Sequence, residues 1–228
     1  AQVLKARICL HAGNTDDAYL IASSLLNDRN PDNGSALSFT EAFPPVTSLP
    51  VSYRDPVFFS ELIFAMHNLR RDQLHRNNFS ADNPTSRILA GSRNFVNEIY
   101  EAEDIRRSSW LEITDRTEAL SAPTKYQYGS APGGQNDPYR YECMPLIRLG
   151  EVYLIAAEAA DNDTDKRFWL EQLRLRRGFQ SGNAREDPDN LLQKEYIREF
   201  FAEGQYFYFL KRNNITSVTG SNGKKDLT

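Results

Sequence analysis

The sequence has little of what most chemistries require. Cysteine occurs twice, as Cys9 and Cys143, far apart and without CxxC spacing. That excludes the usual zinc ribbons and redox pairs, leaves a Cys9–Cys143 disulfide open, and reads both thiols first as small apolar interior groups. Histidine occurs three times, and His67 and His75 flank a seven-residue spacer, not the i,i+4 pair of a helical zinc protease, so no metal site is expected. There is no GxSxG elbow and no dinucleotide fingerprint. Gly220-Ser221-Asn222-Gly223-Lys224-Lys225 is too short for a phosphate loop and reads as a flexible polar tail, so no cofactor is expected. No apolar run approaches the roughly eighteen residues needed to span a bilayer. The net charge of -4 has no basic tract behind it, because Arg107, Arg174, Arg176 and Arg177 are interleaved with acids. Nucleic acid is therefore excluded as a partner.

What is present is a globular composition, 40% hydrophobic and 11% aromatic, over 228 residues, long enough for one compact unit with its own core. We expect a single helical domain over 1–228. Leu4, Ile8 and Leu10 fall on helical spacing, Gly13-Asn14 breaks the run, and Asp16 or Asp17 restarts it. Ala6, Ala18 and Ala22 are small enough to bring two helices close, at 1–12 and 15–27. From Asn27 to Pro56 five prolines and many polar residues prevent sustained helix. Phe58–Leu69 reads as a helix, His75–Pro84 as loop, Phe95–Ile105 as a short helix, and the region with Tyr126, Tyr128, Gly133, Gly134 and Pro138 as irregular. Met144–Ala160 is the most apolar segment, with Pro145 suited to a first helical turn, and it pairs with 164–177, which Gly178 stops. A last helix starts at the cap Asp187-Pro188 and runs through Ile197, Phe200, Phe207 and Leu210. The spacing is that of tetratricopeptide-like hairpins, which bury their faces only by stacking. The fold expected is all-α, such hairpins scaffolding long irregular loops, with almost no sheet.

Three segments carry a family resemblance. Leu4-Lys5-Ala6-Arg7-Ile8-Cys9-Leu10 with Gly13 and Ala18 is similar to the first helical hairpin of SusD/RagB proteins. Met144-Pro145-Leu146-Ile147-Arg148-Leu149-Gly150-Glu151-Val152-Tyr153-Leu154-Ile155-Ala156-Ala157-Glu158-Ala159 resembles that family's P-x-I-R-L-A-E-x-Y-L-I-x-A-E-A run. Arg198-Glu199-Phe200 through Glu203-Gly204 and Phe207 to Lys211-Arg212 resembles its closing R-E-F-x-x-E-G-x-x-F-x-x-x-K-R helix. Asp104-Ile105-Arg106 with Trp110, and Lys125-Tyr126, resemble a pattern between them. The resemblance implies the C-terminal part of a nutrient-binding lipoprotein at the outer face of a Bacteroidetes-type outer membrane. Such a protein captures glycan or peptide fragments beside a SusC-like TonB-dependent transporter and is not an enzyme. Family members are usually about twice as long, so the lipid anchor is expected outside this chain. The shared motifs are packing motifs, so no ligand-binding residue transfers from them.

The residues themselves leave other readings open. Glu199 and Glu203 share a helix face and have the spacing for an acid/base pair of a glycoside hydrolase. The plainer reading is an ion-pair network with nearby arginines, Arg148 foremost for Glu203. A tetratricopeptide-like module binding protein or peptide is the third reading. For a glycan, the candidates are aromatics in or beside irregular segments, since sugar rings stack on Trp and Tyr. Trp110, Tyr126 and Tyr128 lead, with Tyr53 and Tyr139 behind them, and contacts are expected from about 30–57 and 110–142. Trp169, on helical spacing, is assigned to the core. So are Leu149, Val152, Tyr153, Ala156, Phe200 and Phe207.

Overall fold

The computed structural model describes residues 1–27, 39–50, 54–115, 119–127, 142–180, 186–220 and 223–226. Tyr53, Tyr128 and Tyr139 lie outside them. The architecture is mostly helical, with short strands paired in small antiparallel sheets.

Two antiparallel helical pairs form the frame. Helix α1 (Gln2–His11) and α2 (Thr15–Asn27) close on each other through Val3, Ala6, Leu10, Ala18, Ala22 and Leu26. The three alanines are fully buried, so the two backbones approach closely. Gly13 makes the turn at φ 78°, a conformation that favours glycine. The second pair, α6 (Leu149–Glu158) and α7 (Asp163–Arg176), sits against α2. Nearly every residue of α6 is buried, as expected of a helix that is apolar on all sides. Asn162 caps α7, and Trp169 lies in the core against Tyr153, as its spacing suggests. Asp187 caps α8 (Pro188–Phe200) with Pro188 in its first turn, and α9 (Gln205–Arg212) follows.

Several expectations require correction. Phe58–Leu69 is not a helix: a short 3-10 turn, Phe59–Glu61, leads into β1 (Leu62–His67). A short apolar run has no period that separates strand from helix, and here a partner strand decides the outcome. That partner is β5 (Cys143–Arg148), antiparallel to β1 with Ala65 opposite Pro145. Pro145 therefore sits in a strand and not in the first turn of a helix, consistent with the extended bias it imposes on Met144. A second sheet, in the order β2 (Gly91–Ser92), β4 (Leu120–Pro123), β3 (Trp110–Ile113), stands beside α5 (Arg93–Ile99). The polar tail is a β-ribbon of β6 (Ser217–Gly220) and β7 (Gly223–Asp226). The remaining helices, α3 (Phe39–Ala42) and α4 (Arg71–Asn78), are short.

The closing helix is also broken. Ala202 (φ 62°) and Gly204 (φ 78°) turn the chain between α8 and α9. This rotates Phe207 out to 63% exposure and brings Phe209 and Leu210 into the core in its place. Leu149, Val152, Tyr153, Ala156 and Phe200 are buried as expected, whereas Leu4 and Ile8 face outward. Cys9 and Cys143 are both free thiols of intermediate burial.

Candidate functional site

A buried ion network underlies the site. Arg148 enters from the end of β5, Arg177 from the end of α7, Arg106 from a 3-10 turn (Ile105–Ser109), and Glu195 and Glu199 from α8. Glu199 accepts from Arg148 Nη1 at 2.8 Å, from Arg177 Nη2 at 2.8 Å and from Arg106 Nη1 at 3.1 Å. Arg177 continues to Glu61 at 2.9 Å, and Arg106 continues to Asp104 and Glu195. Arg198 and Arg174 link Glu195 to Glu101. Burial opposes ionisation of Glu199, but the guanidiniums of Arg177, Arg148 and Arg106 outweigh it and hold the carboxyl well below the usual range. The network also closes the break after α8, where terminal carbonyls need donors. Lys125 Nζ donates to the carbonyls of Glu199 and Phe201 and pairs with Glu203.

This arrangement pairs both Glu199 and Glu203 with buried cations. A general acid needs a raised pKa and an approachable proton. Glu199 has neither, being 1% exposed and triply paired.

Beside this network, which it meets at Asp104, opens a cavity of about 630 Å3. One wall is the segment Arg54–Phe58 with Val46; the other is Ala102–Ser109, with Thr124 beside it. Its volume suits a small organic ligand. Asp55 shapes the first wall by accepting the backbone N–H groups of Val57 and Phe59. Arg54 ties the same wall down, donating to the carbonyls of Thr47 and Leu49. Phe58 is held at φ 56°, an uncommon conformation for a non-glycine residue, with its ring 4.4 Å from the Arg177 guanidinium. Asp104 caps the 3-10 turn of the second wall.

The expected aromatics fall differently from one another. Trp110 is half-buried, with ring centroids 4.1 Å from Phe201 and 5.9 Å from Tyr100. It borders a small void that also touches Phe58 and Ser109, next to the main cavity. Tyr126 was expected to stand open in a loop, but it is 3% exposed. Its hydroxyl donates to the Ala202 carbonyl at 3.3 Å and its ring packs on Phe79 and Val57. Burial leaves that ring no face for a sugar. Sequence reasoning placed the contacts in about 30–57 and 110–142, which takes in Arg54–Pro56 and Thr124. It did not take in Phe58 or the stretch Ala102–Ser109 of the cavity walls. The only signal for the turn was its Asp104-Ile105-Arg106 motif. Among the described residues no cluster of metal-binding side chains is found, and no helix is long and apolar enough to cross a membrane.

The SusD family model matches residues 104–226, more than half of the chain and most of the network. The chain belongs to the SusD family. Solved structures share the fold. A SusD superfamily protein from Bacteroides thetaiotaomicron VPI-5482 aligns over 100% of this chain and 54% of its own, with a TM-score of 0.68 and 19% identity. A SusD-like carbohydrate binding protein from Bacteroides vulgatus ATCC 8482 aligns over 98% and 49%, with a TM-score of 0.61 and 18% identity. Surface glycan-binding protein A from Bacteroides thetaiotaomicron, solved in complex with laminarihexaose, aligns over 97% and 56%, with a TM-score of 0.59 and 16% identity. The chain thus spans about half the length of these relatives. A search of curated proteins finds no match.

Proposed function

We propose that this protein is a nutrient-binding, lipid-anchored protein of the outer-membrane surface. It captures oligosaccharides without cleaving them and hands them to a SusC-like TonB-dependent transporter. The observation that carries this reading is the open cavity between Arg54–Phe58 and Ala102–Ser109 on a SusD-family frame. The walls are a loop segment and a stretch with a 3-10 turn, joined to the buried ion network through Phe58 and Asp104, the division of labour expected where a scaffold presents a binding surface. The complex of a relative with laminarihexaose supports a glycan as ligand. Trp110, on the small void beside the cavity, is the stacking ring of this proposal, with Tyr53, Tyr128 and Tyr139 as further ring contacts.

The test is isothermal calorimetry of the protein with a panel of oligosaccharides, run beside chromatography of the recovered sugars. Saturable binding with intact sugars is expected. Binding of extended peptides with no response to any glycan would favour a protein-interaction module, and released products would favour a hydrolase.

A further inference from the structure

On the reading that the cavity is the ligand site, both of its walls are held by one corner of the fold, the chain reversal after α7. Arg177 serves both. Its carbonyl accepts the Ile105 N–H of the second wall at 3.0 Å. Its guanidinium lies 4.4 Å from the Phe58 ring of the first wall and forks onto Glu61, three residues further on, with both bonds at 2.9 Å. Arg177 is itself fully buried and bonded to Glu199 at 2.8 and 2.9 Å, so the corner moves only if the ion network gives way.

Gly178, the next residue, shows how closely the second wall is seated. It closes α7 at φ 99°, its N–H bonded to the Leu175 carbonyl and that of Phe179 to the Arg174 carbonyl. Gly13 closes α1 in the same way at φ 78°, its N–H bonded to the Leu10 carbonyl and that of Asn14 to the Cys9 carbonyl. The cap therefore asks the same of both glycines, but their surroundings differ. A Cβ on Gly13 would meet nothing within 4 Å among the described residues. One on Gly178 would stand 2.9 Å from the Glu103 carbonyl oxygen and 2.9 Å from Ile105 Cγ2. Glu103 and Ile105 line the cavity and Gly178 does not, so it lies against their wall without facing the ligand space. A main-chain oxygen cannot swing aside as the end of a flexible side chain can, so an added methyl group must move the wall itself. We infer that Gly178 is a positioning residue of the ligand site: with Arg177 it fixes the second wall against the first, and a side chain there displaces Glu103–Ile105 and lowers affinity without touching ligand.

The matched pair Gly178→Ala and Gly13→Ala carries the test, since both variants strain a positive φ and only one meets a wall. In amide spectra of the unliganded chains, Gly178→Ala should shift Glu103, Ile105 and Arg107, and Gly13→Ala should leave them in place. Calorimetry with laminarihexaose, cellohexaose and mannohexaose follows. The sugar that binds the wild type should bind Gly178→Ala about tenfold more weakly and Gly13→Ala within about twofold, because a binding constellation tolerates displacements of only about 0.5 Å. Hydrogen exchange on the unaltered chain is independent of how either variant folds: the Ile105 amide should exchange as slowly as the amides inside α7. Wall amides unmoved in Gly178→Ala, equal losses of affinity in the two variants, or an Ile105 amide that exchanges as fast as exposed loops would overturn the positioning role and leave the cavity reading standing. Displaced wall amides with unchanged affinity would overturn the cavity as the sugar site, and no binding of any sugar to the wild type would overturn the glycan reading; the positioning role falls with either.

Discussion

Arg148 and Glu203 meet across the break between α8 and α9, Nη2 donating to Oε1 at 2.6 Å. The bond spans 55 residues of sequence and joins the strand leading into the most buried helix to the turn ahead of the closing one. Glu203 also pairs with Lys125, so one carboxylate bonds two largely buried cations. Glu203→Gln should lower stability by about 1–3 kcal/mol, since the charge goes while a hydrogen-bonding group remains. Urea denaturation gives the stability loss. Binding to the folded protein should not change.

Gly150 lies where the second helical pair meets the network. A Cβ there would stand 2.4 Å from Glu199 Oε1 and 2.7 Å from Arg177 Nη2, both fixed in buried ion pairs. Gly150→Ala should cost about 3 kcal/mol or more, against roughly 1 kcal/mol for Gly13→Ala, where only the positive φ objects. The same denaturation experiment compares them. Equal losses would show that the network yields to the added methyl group.

The network also sets the acid limit of the fold. Burial raises the pKa values of Glu195 and Glu199, but the arginines around them win, and both end below the ordinary carboxylate value. A group with a depressed folded pKa stabilises the fold above its unfolded value and loses that contribution as pH falls toward the folded one. Glu151 runs the other way: its burial raises the pKa despite Arg7, so acid relieves part of its cost. With the two depressed groups dominant, the melting temperature should hold at neutral pH and fall steeply below about pH 4.5. A flat melting curve down to pH 3 would contradict this.

Phe207 and Phe209 differ by two positions and point in opposite directions. Phe209 is 3% exposed and stacks on Tyr196 at 4.3 Å, whereas Phe207 is 63% exposed. Truncation to Ala should cost about 3–5 kcal/mol at Phe209 and under about 0.5 kcal/mol at Phe207. Thermal melts of the two variants check the register of α9.

Local pattern made the helical pairs legible: Ala6, Ala18 and Ala22 announce close packing, and Asp187-Pro188 and Gly178 mark helix ends in the chain itself. The pairing of β1 with β5 was not, because it joins segments distant in sequence and an apolar run such as Ile63-Phe64-Ala65 suits either structure. The break at Ala202 was hidden too, since alanine rarely adopts positive φ and only Gly204 hinted at a turn. The Arg148–Glu203 pair was readable from charge and helix spacing. The cavity was only partly so: its walls include the stretches 54–56 and 124 that composition marked as irregular. Its lining mixes Val46, Pro56, Phe58 and Ile105 with charged and small polar residues that carry no distinctive spacing, whereas Tyr126, conspicuous in sequence, is held in the interior by Phe79 and Ala202.

The central claim is that ligand enters between the two walls beside the ion network. Backbone amide chemical-shift mapping by NMR, with saturating amounts of whichever glycan binds in calorimetry, tests it most directly. The account predicts the largest shifts at Arg54, Phe58, Glu103, Arg107, Ser108 and Thr124, with α1 and α2 unmoved. Shifts concentrated on the exposed faces of α1 and α9, around Ile8 and Tyr208, with the cavity walls silent, would contradict it.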